Sequence, residues 1–172
     1  MDYLTNEMIN EAADFLRKKI SIKPKVGMIL GSGLGSFADS VEDSVELMGT
    51  EVPGWPESTV EGHTGRLVIG KMEGVPVFVM QGRSHYYEGH DITRLGLPVR
   101  VMQTLGAEYF FVTNAAGAVN PGYSPGDLMI LNDHINLMGM AGTNPLRGPN
   151  LDDFGPRFPD MSQPYDRELI AK

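Results

Sequence analysis

The stretch MILGSGLGSF, residues 28–37, passes from an apolar run directly into three glycines and two serines. Val26, Met28, Ile29 and Leu30 have the composition of a short strand buried on both faces. The glycine-rich residues after Leu30 are poorly suited to extend that strand, because glycine loses the most freedom on being ordered and brings no side chain to pack. An exit through Gly31, Gly33 and Gly35 instead lets backbone N–H groups turn inward into an anion-binding concavity, with Ser32 adding a hydroxyl. The same cluster would also serve plain tight turning. It is a poor nucleotide motif: Ser36 stands where G-x-G-x-x-G needs its last glycine, and the lysine of a P-loop is missing.

Working outward from this strand exit, Met8, Ile9, Ala12, Ala13, Leu16 and Ile20 recur at helical spacing and predict an amphipathic helix over 6–19, before Pro24 breaks the pattern. Downstream, GRLVIGKMEGVPVFVM (65–80) holds two apolar runs around Glu73-Gly74 and predicts a β-hairpin. Ile92, Leu95, Val99, Met102 and Leu105 predict a helix over 91–105 ended by Gly106, with Pro98 tolerable as a kink or near its start. Tyr109–Val112 is a second buried strand that opens at Asn114 into a turn-rich loop, and Leu128–Leu131 is expected to resume as a strand. Residues 139–165 carry much Gly, Pro and Asn with little periodicity. Strands alternating with helices, plus one hairpin, define an α/β fold with a mixed central sheet flanked by helices. Neither an internal repeat nor a linker interrupts residues 1–172, which read as a single domain.

Fourteen Lys and Arg against 22 Asp and Glu leave a formal charge of -8, which opposes broad attraction to nucleic acid or an anionic membrane. Any anion site must therefore gather its cations locally. The chain has no cysteine, so disulfides, thiolate metal sites and thiol nucleophiles are excluded. The acidic opening MDYLTNEMINEAADFLRKKI is unlike a signal peptide, and no apolar run reaches the roughly 20 residues that span a bilayer. A cytoplasmic protein is expected.

The chemistry-bearing residues cluster after the strands. In GRSHYYEGH (82–90), Arg83 and His85 are two residues apart, so on extended backbone they point the same way and can grip one oxyanion. Each taken alone could equally be a solvated cation or a structural histidine. His63, His85, His90 and His134 match no helical metal-binding pair, and Arg83 beside His85 would repel a cation. GSGLG lacks the G-x-S-x-G pattern of a nucleophile elbow. Thr113-Asn114-Ala115-Ala116-Gly117-Ala118 offers main chain that a ligand could approach, or simply close backbone packing.

Taken together and in order, GSGLG, EGHTGRLVIG, GRSHYYEGH, TNAAGAVNPGYSPGDLMILNDHIN and RFPDMSQPYDR resemble the trimeric type of purine nucleoside phosphorylase. The related methylthioadenosine phosphorylases share the fold, but the tyrosines of GRSHYYEGH are closer to the purine nucleoside branch. The resemblance implies reversible phosphorolysis of purine ribo- or deoxyribonucleosides to free purine and pentose 1-phosphate. Inorganic phosphate would be a co-substrate, without metal or organic cofactor, in a homotrimer. It further implies that Ser32, His63, Arg83, His85 and the N–H of Ala115 hold phosphate, with Arg83 and His85 the catalytic pair. Tyr87, and Phe158 from a neighbouring subunit, would contact the pentose, and Ala116 and Gly117 the base. Without the resemblance, Phe158 reads as a buried anchor in its own chain.

Family subunits continue well beyond residue 172, so the resemblance covers rather more than half of one and implies an incomplete nucleoside phosphorylase domain. The residues that bond the purine are expected beyond Lys172. The 172 residues alone are expected to bind phosphate and to turn over weakly, since assistance to the departing base would be missing. A phosphate-binding fragment without turnover, a methylthioadenosine phosphorylase and a nucleosidase that uses water are the alternatives.

Overall fold

The computed structural model describes residues 3–60 and 65–172. Helix α1 (Asn6–Arg17) starts where the Thr5 hydroxyl accepts a hydrogen bond from the Met8 N–H, and it buries Ile9, Ala12, Ala13 and Leu16 along one stripe. It ends two residues before the expected boundary. Strand β1 (Val26–Leu30) comes next, then the glycine-rich exit and a 3₁₀ stretch over Gly35–Ser40.

Strand β2 (Glu42–Met48) is absent from the sequence reading, for a clear reason: in EDSVELM only Leu47 is buried, so no apolar alternation marks it. It is an edge strand, antiparallel to β3 (Arg66–Met72), with a bulge between Glu42 and Val45. Strand β3 pairs antiparallel with β4 (Val75–Gln81) in register from Arg66↔Gln81 to Met72↔Val75, as the hairpin predicts. Its two turn residues, Glu73 and Gly74, sit at φ 48° and 76°, the pair of positive angles that a type I′ turn needs.

Helix α2 spans Leu97–Leu105, shorter than the 91–105 expected. The Asp91 carboxylate accepts from the Thr93 N–H (2.9 Å) and hydroxyl (2.7 Å), closing a local turn that competes with helix. Pro98 then lies in the first turn, where its missing N–H costs nothing, and Gly106 ends the helix at φ 122°.

Strand β5 (Tyr109–Val112) completes a five-stranded sheet of order β2-β3-β4-β1-β5, in which β4, β1 and β5 are parallel and β2, β3 and β4 antiparallel. The mixed sheet is thus as expected. Helices α1 and α2 cover one face, burying Ile29, Leu67, Ile69, Phe78 and Met80, with Trp55 stacked parallel to Phe78 at 6.3 Å. On the other face Leu30, Val68, Val77 and Val79 close against Ala38 and Val41.

Past β5 the expectation of a strand at Leu128–Leu131 fails. Those side chains are 84%, 57%, 73% and 42% exposed and the backbone is irregular. Apolar composition makes a segment fit for a sheet, but a strand exists only through a partner's ladder, and none of the described residues supplies one. Only short helices α3 (Leu137–Met140) and α4 (Arg167–Ile170) and a 3₁₀ turn at Asp152–Phe154 interrupt the irregular chain. Phe154 anchors it to the helical layer, lying 4.7 Å from the Arg100 guanidinium, while the Asn6 amide donates to Asp153.

Candidate anion site at three strand exits

The parallel strands β4, β1 and β5 all end on one side of the sheet. Chain order reverses across β1, since the path runs from β1 to β4 on one flank and then through α2 to β5 on the other. Such a switch point opens a crevice beyond the carboxyl ends of the strands. The three exits are stitched together there. The Gly82 N–H donates to the Leu30 carbonyl (3.1 Å), the Gly31 N–H to the Thr113 hydroxyl (2.8 Å), and Arg83 Nη1 to the Thr113 carbonyl (3.3 Å).

Gly31 has no room for a side chain. A Cβ there would lie 2.5 Å from the Thr113 carbonyl oxygen, 2.9 Å from Asn114 Cα and 3.1 Å from Arg83 Nη1. The missing atom is therefore what admits the guanidinium and the β5 exit to the same place, and the glycine answers to more than plain turning. Ser32 comes next at the exposed turn, closed by the Leu34 N–H on the Gly31 carbonyl, and Ala115 directly succeeds Asn114. Ser32, Arg83 and Ala115 are thus carried to neighbouring exits.

His85 lies two residues past Arg83 on extended backbone (φ -120°, ψ 155°), and its ring stacks on Tyr87 at 4.7 Å. Nδ1 lies 2.7 Å from Glu88 Oε1, which also accepts from the His85 N–H at 2.6 Å. Glu88 escaped the sequence reading. Its signal was the spacing: a glutamate three residues after the residue that opens a helical turn reaches back to that residue's N–H. The Glu88 side chain is only 2% exposed. Burial pushes its carboxyl up, but hydrogen bonds from Thr59 and His85 outweigh this and bring it down to about 2. It is therefore ionised at neutral pH and offers Oε1 as an acceptor beside Nδ1 of His85.

The remaining predicted residues scatter. Tyr87 is 74% exposed apart from its stacking on His85, and Ala116 and Gly117 run out into solvent. A Cβ on Gly117 would touch nothing, so close packing does not explain that glycine. Phe158 is 86% exposed, which rules out the buried anchor. His63 lies outside the described residues. Two further histidines are engaged elsewhere: Nε2 of His90 with the Glu57 carbonyl (2.6 Å), and Nδ1 of His134 with the Tyr165 hydroxyl (3.0 Å). Among the described residues, no three His, Asp or Glu side chains form a group that could hold a metal.

Parallel strand ends that meet at Gly31, Arg83 and Thr113, with a carboxylate-backed imidazole two residues past the arginine, define an α/β protein with a candidate anion site at its switch point. The family model described as the phosphorylase superfamily matches residues 25–172, and the chain belongs to that superfamily. It is 55% identical over 165 residues to purine nucleoside phosphorylase 1 of Bacillus subtilis, covering 96% of this chain and 60% of the relative. Against the purine nucleoside phosphorylase of Bos taurus it is 46% identical over 168 residues, covering 98% and 58%. The crystal structure of the Schistosoma mansoni purine nucleoside phosphorylase with adenosine superposes with a TM-score of 0.92 at 43% identity, covering 99% of this chain and 60% of that one. The chain spans between 47% and 60% of the length of the curated relatives it matches.

Proposed function

We propose that this chain carries the phosphate-binding half of a purine nucleoside phosphorylase site, for reversible phosphorolysis of purine ribo- or deoxyribonucleosides. The observation that carries this reading is the meeting of Gly31, Arg83 and the Thr113-Asn114 backbone at three adjacent strand exits. Relatives named purine nucleoside phosphorylase at 46% and 55% identity support it.

In this reading Ser32, Arg83, His85, the N–H of Ala115 and His63 hold inorganic phosphate, with Arg83 and His85 the catalytic residues. Tyr87 bounds the pentose, and Ala116 and Gly117 line the base pocket. A phosphate oxygen attacks the anomeric carbon while the glycosidic bond breaks, its electron pair leaving with the purine, which takes up a proton. Positive charge grows on the sugar at that moment, and the fixed phosphate beneath it stabilises the charge while serving as nucleophile. Holding both reactants in line removes much of the orientational cost. No step calls for a metal or organic cofactor.

Phe158, standing in solvent, suits the pentose side of a neighbouring subunit's site, which makes a homotrimer part of the proposal. The acidic, cysteine-free chain suits the cytoplasm, and no helix among the described residues is long and apolar enough to cross a membrane. The exposure of Tyr87 and Phe158 favours a second reading for the 172 residues by themselves: phosphate binding without turnover.

Incubating the chain with inosine or methylthioadenosine, with and without phosphate, separates these readings. Phosphate-dependent release of hypoxanthine supports phosphorolysis, and release that ignores phosphate overturns it. Stabilisation by phosphate with no release from either nucleoside identifies the binding fragment, whereas preferential cleavage of methylthioadenosine identifies the sister activity.

A further inference from the structure

Glu88 divides its two oxygens between two parts of the chain. Oε1 takes the His85 N–H and Nδ1, while Oε2 takes the Thr59 N–H, the Thr59 hydroxyl (2.8 Å) and the Ser58 hydroxyl (3.4 Å). A carboxylate has about four lone-pair positions, so five donors leave it saturated and fixed in rotation. The strap that supplies three of them, residues 56–59, is fastened to the same loop twice more. The Ser84 hydroxyl donates to the Pro56 carbonyl (2.7 Å), and His90 Nε2 to the Glu57 carbonyl (2.6 Å).

We propose that Thr59, assisted by Ser58, is a positioning residue that acts on His85 through Glu88. By occupying Oε2 it turns Oε1 toward His85, which fixes the proton on Nδ1 and assigns the opposite ring nitrogen, Nε2, to the phosphate. The proposal deepens the phosphorolysis reading and rests on it for the identity of the ligand, but the linkage from strap to imidazole is a property of this chain that can be read without any ligand.

The test uses the full chain, ¹⁵N-labelled, with long-range ¹H–¹⁵N spectra reporting the tautomer of His85, assigned with His85→Gln. Calorimetry with inorganic phosphate gives affinity. Thr59→Val combined with Ser58→Ala removes both hydroxyls but keeps the Thr59 N–H. The neutral His85 ring is expected to move from an Nδ1–H form to a tautomer mixture, and phosphate affinity to fall about five- to tenfold, the scale of one or two hydrogen bonds. Thr59→Ser should restore both readouts. Should the double variant unfold, Ser58→Ala alone gives a smaller shift in the same direction. Unchanged His85 nitrogen shifts in a folded variant overturn the proposal. A tautomer that responds while the unsubstituted chain binds no phosphate leaves the strap intact and overturns the phosphate reading instead.

Discussion

At the scale of single residues, the proposed phosphate site turns on Gly31 and Arg83. Alanine at 31 would press its methyl into the Thr113 carbonyl at 2.5 Å and against Asn114 Cα at 2.9 Å, and those backbone atoms have little room to relax. Gly31→Ala is expected to destabilise the fold by about 1–3 kcal/mol, the usual cost of overpacking, and to abolish phosphate binding; urea unfolding and calorimetry check the two effects. Arg83 hydrogen-bonds the Thr113 carbonyl, and in the proposed site its guanidinium also meets the phosphate. Arg83→Ala should weaken phosphate by about tenfold or more, and nucleoside far less, since a charge-assisted hydrogen bond serves only the anion. Equal weakening of both ligands would count against its role.

At the scale of elements, the turn Tyr86–Glu88 is held to residues 58–59 through one buried carboxylate. Its folded pKa, about 2, lies below the ordinary 4.5, so the unfolded chain binds the proton first as pH falls. The stabilisation is therefore fully present above about pH 4.5 and is lost as pH falls toward 2. Glu88→Gln should flatten that part of the stability–pH curve, and denaturant titrations at pH 5, 4 and 3 measure it. An unaltered slope in the variant would show that the carboxylate is not held as described. The hairpin and α2 obey local chemistry more directly: Glu73-Gly74 selects the turn, Pro98 the helix start and Gly106 its end.

For the whole molecule, the decisive feature is an uncovered edge. Strand β5 lies outermost, with Phe111 45% and Val112 64% exposed, and the chain beyond it holds Leu128, Ile130, Ile135 and Met140 largely in solvent. A short apolar edge strand that itself holds neither lysine nor proline, and that no element among the described residues covers, invites pairing with another chain. Sedimentation is expected to show concentration-dependent species heavier than the 18.8 kDa monomer, and Val112→Lys to shift them toward monomer. A chain that stays monomeric at all concentrations would remove this expectation.

Local sequence determined the elements whose signals are themselves local. The apolar spacing of α1, the run of β1, the two-residue hairpin turn and the glycine after α2 were all legible, because helix, turn and cap are each stabilised within a few residues. Gly31, Ser32, Arg83 and His85 stood out as unusual residue types after apolar runs. Tertiary structure alone decided the rest. Strand β2 exists because β3 offers it a ladder despite its polar composition, and 128–131 stays irregular because nothing among the described residues does the same for it. The link between Thr59 and Glu88 was likewise hidden, since a hydrogen bond between residues 29 positions apart leaves no mark on either neighbourhood. Long-range pairing is a property of which surfaces meet, and only the folded chain brings them together.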